Sequence, residues 1–125
     1  MAYNNGGRPT SGWSWGEEMP AEENQFSYSG PYRYYFEGVF RESFPTYALR
    51  VETANRDRTT VFYFFAGNFC KLIVEVTSDS YRNNHTFEEA CKKAGIPHLR
   101  FYHDHHGWWN TRSYVVARVR SALNG

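Results

Sequence analysis

Two stretches of this chain carry side chains that could do chemistry. In Lys71-Leu72-Ile73-Val74-Glu75-Val76-Thr77-Ser78-Asp79-Ser80 an apolar run leads into one carboxylate, Glu75, near the end of what reads as a core strand. A carboxylate in that position needs a partner or a task, because desolvating an unpaired charge is costly. Two readings of Glu75 stand side by side: a ligand for a metal ion or a phosphate-proximal acid, and a structural acid paired with Arg100 on a neighbouring strand. Thr77 and Asp79 read more simply as residues that cap or turn the chain ahead of the next helix. The second stretch is His103-Asp104-His105-His106-Gly107-Trp108-Trp109-Asn110. Its imidazoles and carboxylate could coordinate Zn²⁺. Zinc sites normally draw ligands from two separated places, so His85 or His98 would have to complete the set. The structural reading, which we prefer, is a loop whose Trp108 and Trp109 close the edge of the core.

Phosphate contact is a third chemistry to weigh. Arg112, Arg118 and Arg120 near the C-terminus, with Arg82, Lys92 and Lys93, could line a phosphate-contacting face, and a solvated helix surface is the simpler reading. No Gly-rich phosphate loop, nucleophile elbow or Ser/His/Asp arrangement is visible.

The bulk properties limit the field. A length of 125 residues suits one domain with a real core and is short for two. Aromatics make up 19% and charged residues 22%, so a mean hydropathy of -0.71 reflects polar and aromatic residues together, and disorder is excluded. The formal net charge of +1 and pI near 7.8 lack the basic balance that favours nucleic acid. Of the 14 basic residues only Lys71, Lys92 and Lys93 are lysines, and the rest are arginines, which prefer planar contacts with phosphate or carboxylate and stack on aromatic rings. Cys70 and Cys91 form no CxxC and read as reduced, buried thiols. No run approaches ~18 apolar residues and the N-terminus lacks a secretion-signal layout, so no membrane span and a cytoplasmic location are expected.

These groups must be positioned by local elements. Residues 1–24 read as an irregular segment, rich in Gly, Asn, Ser and Pro, that docks through Trp13 and Trp15, followed by a single domain over 25–125. Tyr32, Tyr35, Phe36, Val39 and Phe40 form the stripe of a first helix opening at Gly30-Pro31 and ending at Ser43-Phe44-Pro45. Strands are predicted over Tyr47–Glu52, Thr59–Phe65, Phe69–Val76 and His98–Tyr102, with Ala66-Gly67-Asn68 as a tight turn. Phe87, Ala90, Cys91 and Ala94 mark the buried side of a helix over 83–94 that Gly95 stops. Val115, Val116, Val119 and Leu123 line a closing helix. The order α-β-β-β-α-β-α implies a three-layer α/β domain: the first three strands form an antiparallel meander, and the fourth lies parallel to the third in one mixed four-stranded sheet.

That order resembles the core of the restriction-endonuclease-like (PD-(D/E)xK) superfamily, and is most similar to its small members of the very-short-patch repair type. Lys71 to Thr77 matches the second catalytic strand, with Glu75 in the acid position. Gly95-Ile96-Pro97-His98-Leu99-Arg100-Phe101 matches the Gly-x-x-x-Leu-Arg-Phe block, and Asn110 to Leu123 the closing helix. The match spans residues 31–123 through short motifs. It departs where the family's chemistry resides. No acid occupies Val61-Phe62-Tyr63-Phe64, where the first Asp belongs, and Thr77 stands in the Lys position. Phosphodiester hydrolysis in this fold needs several carboxylate oxygens around Mg²⁺. Here Asp57 or Glu37, or else Glu42, Glu52 or Asp79, would have to join Glu75 and Thr77.

The resemblance therefore implies a catalytically degenerate domain retained as a binding or interaction module around DNA or RNA, with no cofactor expected. An active metal-dependent endonuclease using Mg²⁺ and a relocated acid is the first alternative. A protein-binding module using exposed aromatics, without a nucleic-acid role, is the second.

Overall fold

The computed structural model describes residues 16, 18–54, 56–78 and 85–124. The elements run α1 (Tyr32–Ser43), β1 (Ala48–Ala54), β2 (Thr59–Ala66), β3 (Phe69–Thr77), α2 (His85–Ala94), β4 (His98–Tyr102) and α3 (Arg112–Asn124). The expected α/β class, mixed four-stranded sheet and strand directions are present: the sheet order is β1-β2-β3-β4, antiparallel through β3 and parallel between β3 and β4. β1 runs beyond its expected end because Thr53 and Ala54 still pair with Thr60 and Thr59. The β2–β3 connection is a two-residue hairpin in which Gly67, at φ 63, takes the left-handed conformation that its turn demands. A bulge between Phe64 and Phe65 shifts the register against β3.

Strand alternation sorts the side chains into two unequal cores. Phe62 and Phe64 of β2, Leu72, Val74 and Val76 of β3 and Phe101 of β4 face the side covered by α1 and α3. There they meet Tyr35, Phe36, Val39 and Phe40 of α1 and Tyr114, Val115 and Val119 of α3. The packing is largely ring on ring, with Phe40 edge-on to Phe62 at 5.0 Å and to Phe64 at 5.2 Å. The opposite side holds a smaller cluster of Val61, Ile73 and Cys91 with Tyr63, Cys70, Phe87 and Ile96. Among its described side chains α2 seats here through Phe87 and Cys91; Ala90 and Ala94, expected on its buried side, are exposed because so short a helix covers only part of the sheet. Gly95, at φ 72, ends α2 in a Schellman arrangement, with Ile96 N–H donating to Cys91 O and Gly95 N–H to Lys92 O.

The packed domain begins before residue 25. Glu22 accepts hydrogen bonds from the backbone N–H and hydroxyl of Ser113 in the first turn of α3, where a carboxylate also suits the helix dipole. Asn24 is fully buried and accepts from Phe26 N–H and Ser27 N–H in a tight turn. Gln25 bridges Trp108 O and Asn110 N–H with its amide, tying this segment to the loop ahead of α3. The Trp109 indole donates to Gly16 O at 3.0 Å. Trp13 and Trp15 lie outside the described residues.

Candidate functional site

Glu75 lies on the α2 side of the sheet. β3 alternates, so Val74 and Val76 enter the large core while Ile73, Glu75 and Thr77 face α2. Its register partner on the parallel strand is Arg100. Period-two spacing places His98, Arg100 and Tyr102 along the same face of β4. Glu75 is only 2% exposed, and its Oε1 receives the Arg100 Nε–H at 3.0 Å and lies 3.2 Å from His98 Nε2. The Phe87 ring packs edge-on to His98 at 5.4 Å and covers it from α2. Burial pushes the Glu75 carboxyl up; the hydrogen bonds from His98 and Arg100 and the Arg100 charge outweigh this and hold it below the ordinary carboxylate range. The acid is therefore ionised at neutral pH.

The expected Glu75–Arg100 pair thus exists as part of a triad. His98, weighed from the sequence only as a distant zinc ligand, is its third member. The signal was present: His98 and Arg100 are two apart in a strand and so share a face, and the fourth strand was placed beside the third.

Other candidate site residues are drawn elsewhere. Thr77 is fully buried and its hydroxyl meets that of Thr59 at 2.7 Å. Asp57 sits in the β1–β2 turn at φ 68, highly exposed, 3.7 Å from an Arg33 guanidinium nitrogen of α1. Glu37 pairs with Arg41 one turn on in α1 at 2.8 Å, on the far side of the sheet from Glu75. Glu42 pairs with Arg112, and Glu52 with Arg50 and the Tyr63 hydroxyl. None of these acids joins Glu75: Glu37 and Glu42 belong to α1, across the sheet; Asp57 is held in the β1–β2 turn; and Glu52, though on the same face, stands two strands away with Val61 of β2 between them. Asp79 and Arg82 lie outside the described residues.

The histidine-rich stretch is splayed. His103 stacks on Tyr32 at 3.8 Å and its Nε2 donates to Arg58 O at 2.8 Å. Asp104 accepts from the Ser78 hydroxyl at 2.6 Å. His106 stacks on Phe26 at 5.1 Å, and His105 is exposed. His98 is committed to Glu75, and the side chain of His85 lies outside the described part. Among the described residues no three His, Cys, Asp or Glu side chains converge as a metal site. Trp109 is buried and Trp108 packs edge-on to Tyr114, which is the core-edge role weighed for them.

The basic residues do not share one surface. Arg118 lies over the Phe101 ring at 4.7 Å and donates to Arg100 O at 3.2 Å. Arg112 is held by Glu42, and Arg120 lies over Phe44 at 5.7 Å. These three belong to the α3 side, whereas the exposed Lys92 and Lys93 belong to α2, across the sheet. The reason is chemical: in an aromatic-rich chain the guanidinium finds rings and carbonyls to lie against. Beside Glu75 and His98, a surface groove of about 460 Å³ is lined by Glu88, Glu89, Lys92, Ile96, Pro97 and His98. Cys91 beneath it is a free thiol pushed up by burial and then by Cys70 and the nearby carboxylates, so it stays protonated at neutral pH.

No described helix is long and apolar enough to cross a membrane. No protein-family model, curated protein or solved structure matches this chain.

Proposed function

We propose that this chain is a non-catalytic binding domain, a degenerate version of the restriction-endonuclease-like arrangement it resembles, which contacts nucleic acid through its α2 side. One observation carries the loss of catalysis: the single acid in the catalytic-strand position, Glu75, has its carboxylate engaged by Arg100 and His98. A metal ion would have to displace a guanidinium from a buried acid and then find further oxygen ligands, and a hard cation is poorly served by such a site.

Lys92 and Lys93 at the end of α2, beside the groove, supply the phosphate contacts. Glu88 and Glu89 stand on the same helix, so the expected affinity is weak and non-specific, with Kd in roughly the 10⁻⁴–10⁻⁶ M range. Fluorescence anisotropy of labelled DNA and RNA oligonucleotides across a salt series tests this. Binding that weakens with salt, with a slope reduced by about two in Lys92→Ala/Lys93→Ala, supports the reading. No binding at low salt, or binding indifferent to both lysines, sinks it.

A protein-binding role is favoured by a different feature. Phe69, at the β2–β3 hairpin, is 71% exposed, with Lys71 over its ring. A chain that binds no oligonucleotide but loses a protein contact in Phe69→Ala would favour that second reading.

A further inference from the structure

The two edges of the sheet are treated differently. Along β4 two outward carbonyls are covered by side chains of the same chain: Arg118 donates to Arg100 O at 3.2 Å and Asn110 Nδ2 to Tyr102 O at 2.9 Å. β1, at the other edge, is a seven-residue strand with Ala48, Arg50, Glu52, Thr53 and Ala54 exposed, and among the described residues nothing is hydrogen-bonded to its outer side. A long open edge is a template for another strand.

We propose that β1 pairs antiparallel with β1 of a second copy, about a two-fold axis at Val51. The sequence is self-complementary about that residue. Pairing all of Ala48–Ala54 requires Val51 opposite Val51, which sets Arg50 opposite Glu52 of the second copy and Glu52 opposite its Arg50. Leu49 then meets Thr53, and Ala48 meets Ala54. In any other two-fold register fewer residues pair and the opposite charges no longer face each other. Charges on an edge ordinarily discourage pairing, most effectively when of one sign. Here they have opposite signs, stand two apart on one face and already attract within one chain, Arg50 Nη2 lying 3.1 Å from Glu52 Oε2. On the other face Leu49 and Val51, half-buried against the large core, gain cover from their counterparts.

The backbone ladder and this apolar cover supply the affinity, while the charges fix partner and register. Because β1 pairs with β1 the contact is isologous, and with the β4 edge partly covered by Arg118 and Asn110 it stops at two copies. The two four-stranded sheets become one. Since the axis is perpendicular to the sheet, both α2 sides face the same way, and the pairing does not depend on what those sides bind.

Sedimentation velocity on the full chain from about 1 μM to about 1 mM, where a weak dimer with Kd in roughly the micromolar range is populated, tests the pairing. Arg50→Glu sets Glu opposite Glu52 twice, and Glu52→Arg sets Arg opposite Arg50 twice. Each single reversal raises the Kd about tenfold or more, and the double swap restores it to within about threefold. Both side chains are largely exposed, so the variants keep the fold, with circular dichroism as the check. A monomer at every concentration overturns the proposal, whether the edge is free or covered by the chain's own residues 1–15 or by another protein. A dimer whose Kd ignores the single reversals, or is not restored by the swap, overturns it as well.

Discussion

Glu75 and Arg100 are direct register partners across the parallel strands β3 and β4, joined by an Nε–H donating to Oε1 at 3.0 Å. Their side chains are 3% and 16% exposed, so the pair is held largely out of water, with His98 completing it at 3.2 Å. This arrangement explains how a carboxylate persists in an otherwise apolar strand segment. Its charge is countered in place, with Oε1 accepting from the Arg100 guanidinium and lying within hydrogen-bond distance of His98 Nε2.

Removing one member leaves the other charge buried. Arg100→Ala is expected to destabilise the fold by about 3 kcal/mol, the lower end of the range for breaking a buried pair, because His98 still serves Glu75. Glu75→Ala strands the guanidinium and also lowers stability. The double substitution costs less than the sum of the two, as partners in one ion pair are not additive. Chemical denaturation of the four proteins measures the cycle. A neutral or stabilising Glu75→Ala would show that the acid is held against the interest of the fold.

The depressed Glu75 pKa makes a prediction about acid. A carboxylate whose folded value lies below its unfolded value of about 4.3 contributes stability that is fully present above that value. That contribution is lost as pH falls through the folded value. The melting temperature of the wild type should therefore fall more steeply than that of Glu75→Gln below about pH 5, and the gap between them should close at the acid end. Parallel melting curves from pH 7 downward would refute the assignment.

Cleavage of DNA or RNA with Mg²⁺ or Mn²⁺ is expected to be absent. Incubating supercoiled plasmid and labelled RNA with the full chain and either ion checks this. Divalent-dependent cutting that disappears in a folded Glu75→Ala protein would restore the endonuclease reading and require another acid to reach Glu75.

Tyr35 provides a test away from the triad. Its hydroxyl lies 2.7 Å from Asn110 O and 3.0 Å from Glu23 O, joining α1 both to the loop before α3 and to the chain ahead of α1. Tyr35→Phe removes the donor and leaves buried carbonyl oxygen unsatisfied, at a cost of roughly 1–3 kcal/mol. The loss should appear in thermal unfolding and in faster amide exchange at Arg112, whose N–H donates to Glu23 O. Unchanged stability would mean that water replaces the hydroxyl.

Much of this molecule was legible as a string. The apolar stripe of Tyr35, Phe36, Val39 and Phe40, the β-branched and aromatic run from Thr59, the hairpin at Gly67-Asn68 and the stop at Gly95 are local signals, written in spacing and backbone preference. With connections this short they allow few sheet topologies, and the Glu75–Arg100 contact followed from strand adjacency. What the sequence could not determine is which distant groups share a side of the sheet. Glu37 and Asp57 looked eligible to join Glu75, yet α1 lies across the sheet from it and the β1–β2 turn gives Asp57 to Arg33. Arg112, Arg118, Lys92 and Lys93 could by sequence line one phosphate-contacting face, yet the sheet stands between them, and Arg118 lies over Phe101. The histidines looked clustered, yet His103 turns to Tyr32 and Arg58 while His106 turns to Phe26. Spacing along a strand specifies a side chain's face relative to its neighbours, whereas its partner depends on how whole elements pack, and only the tertiary structure decides that.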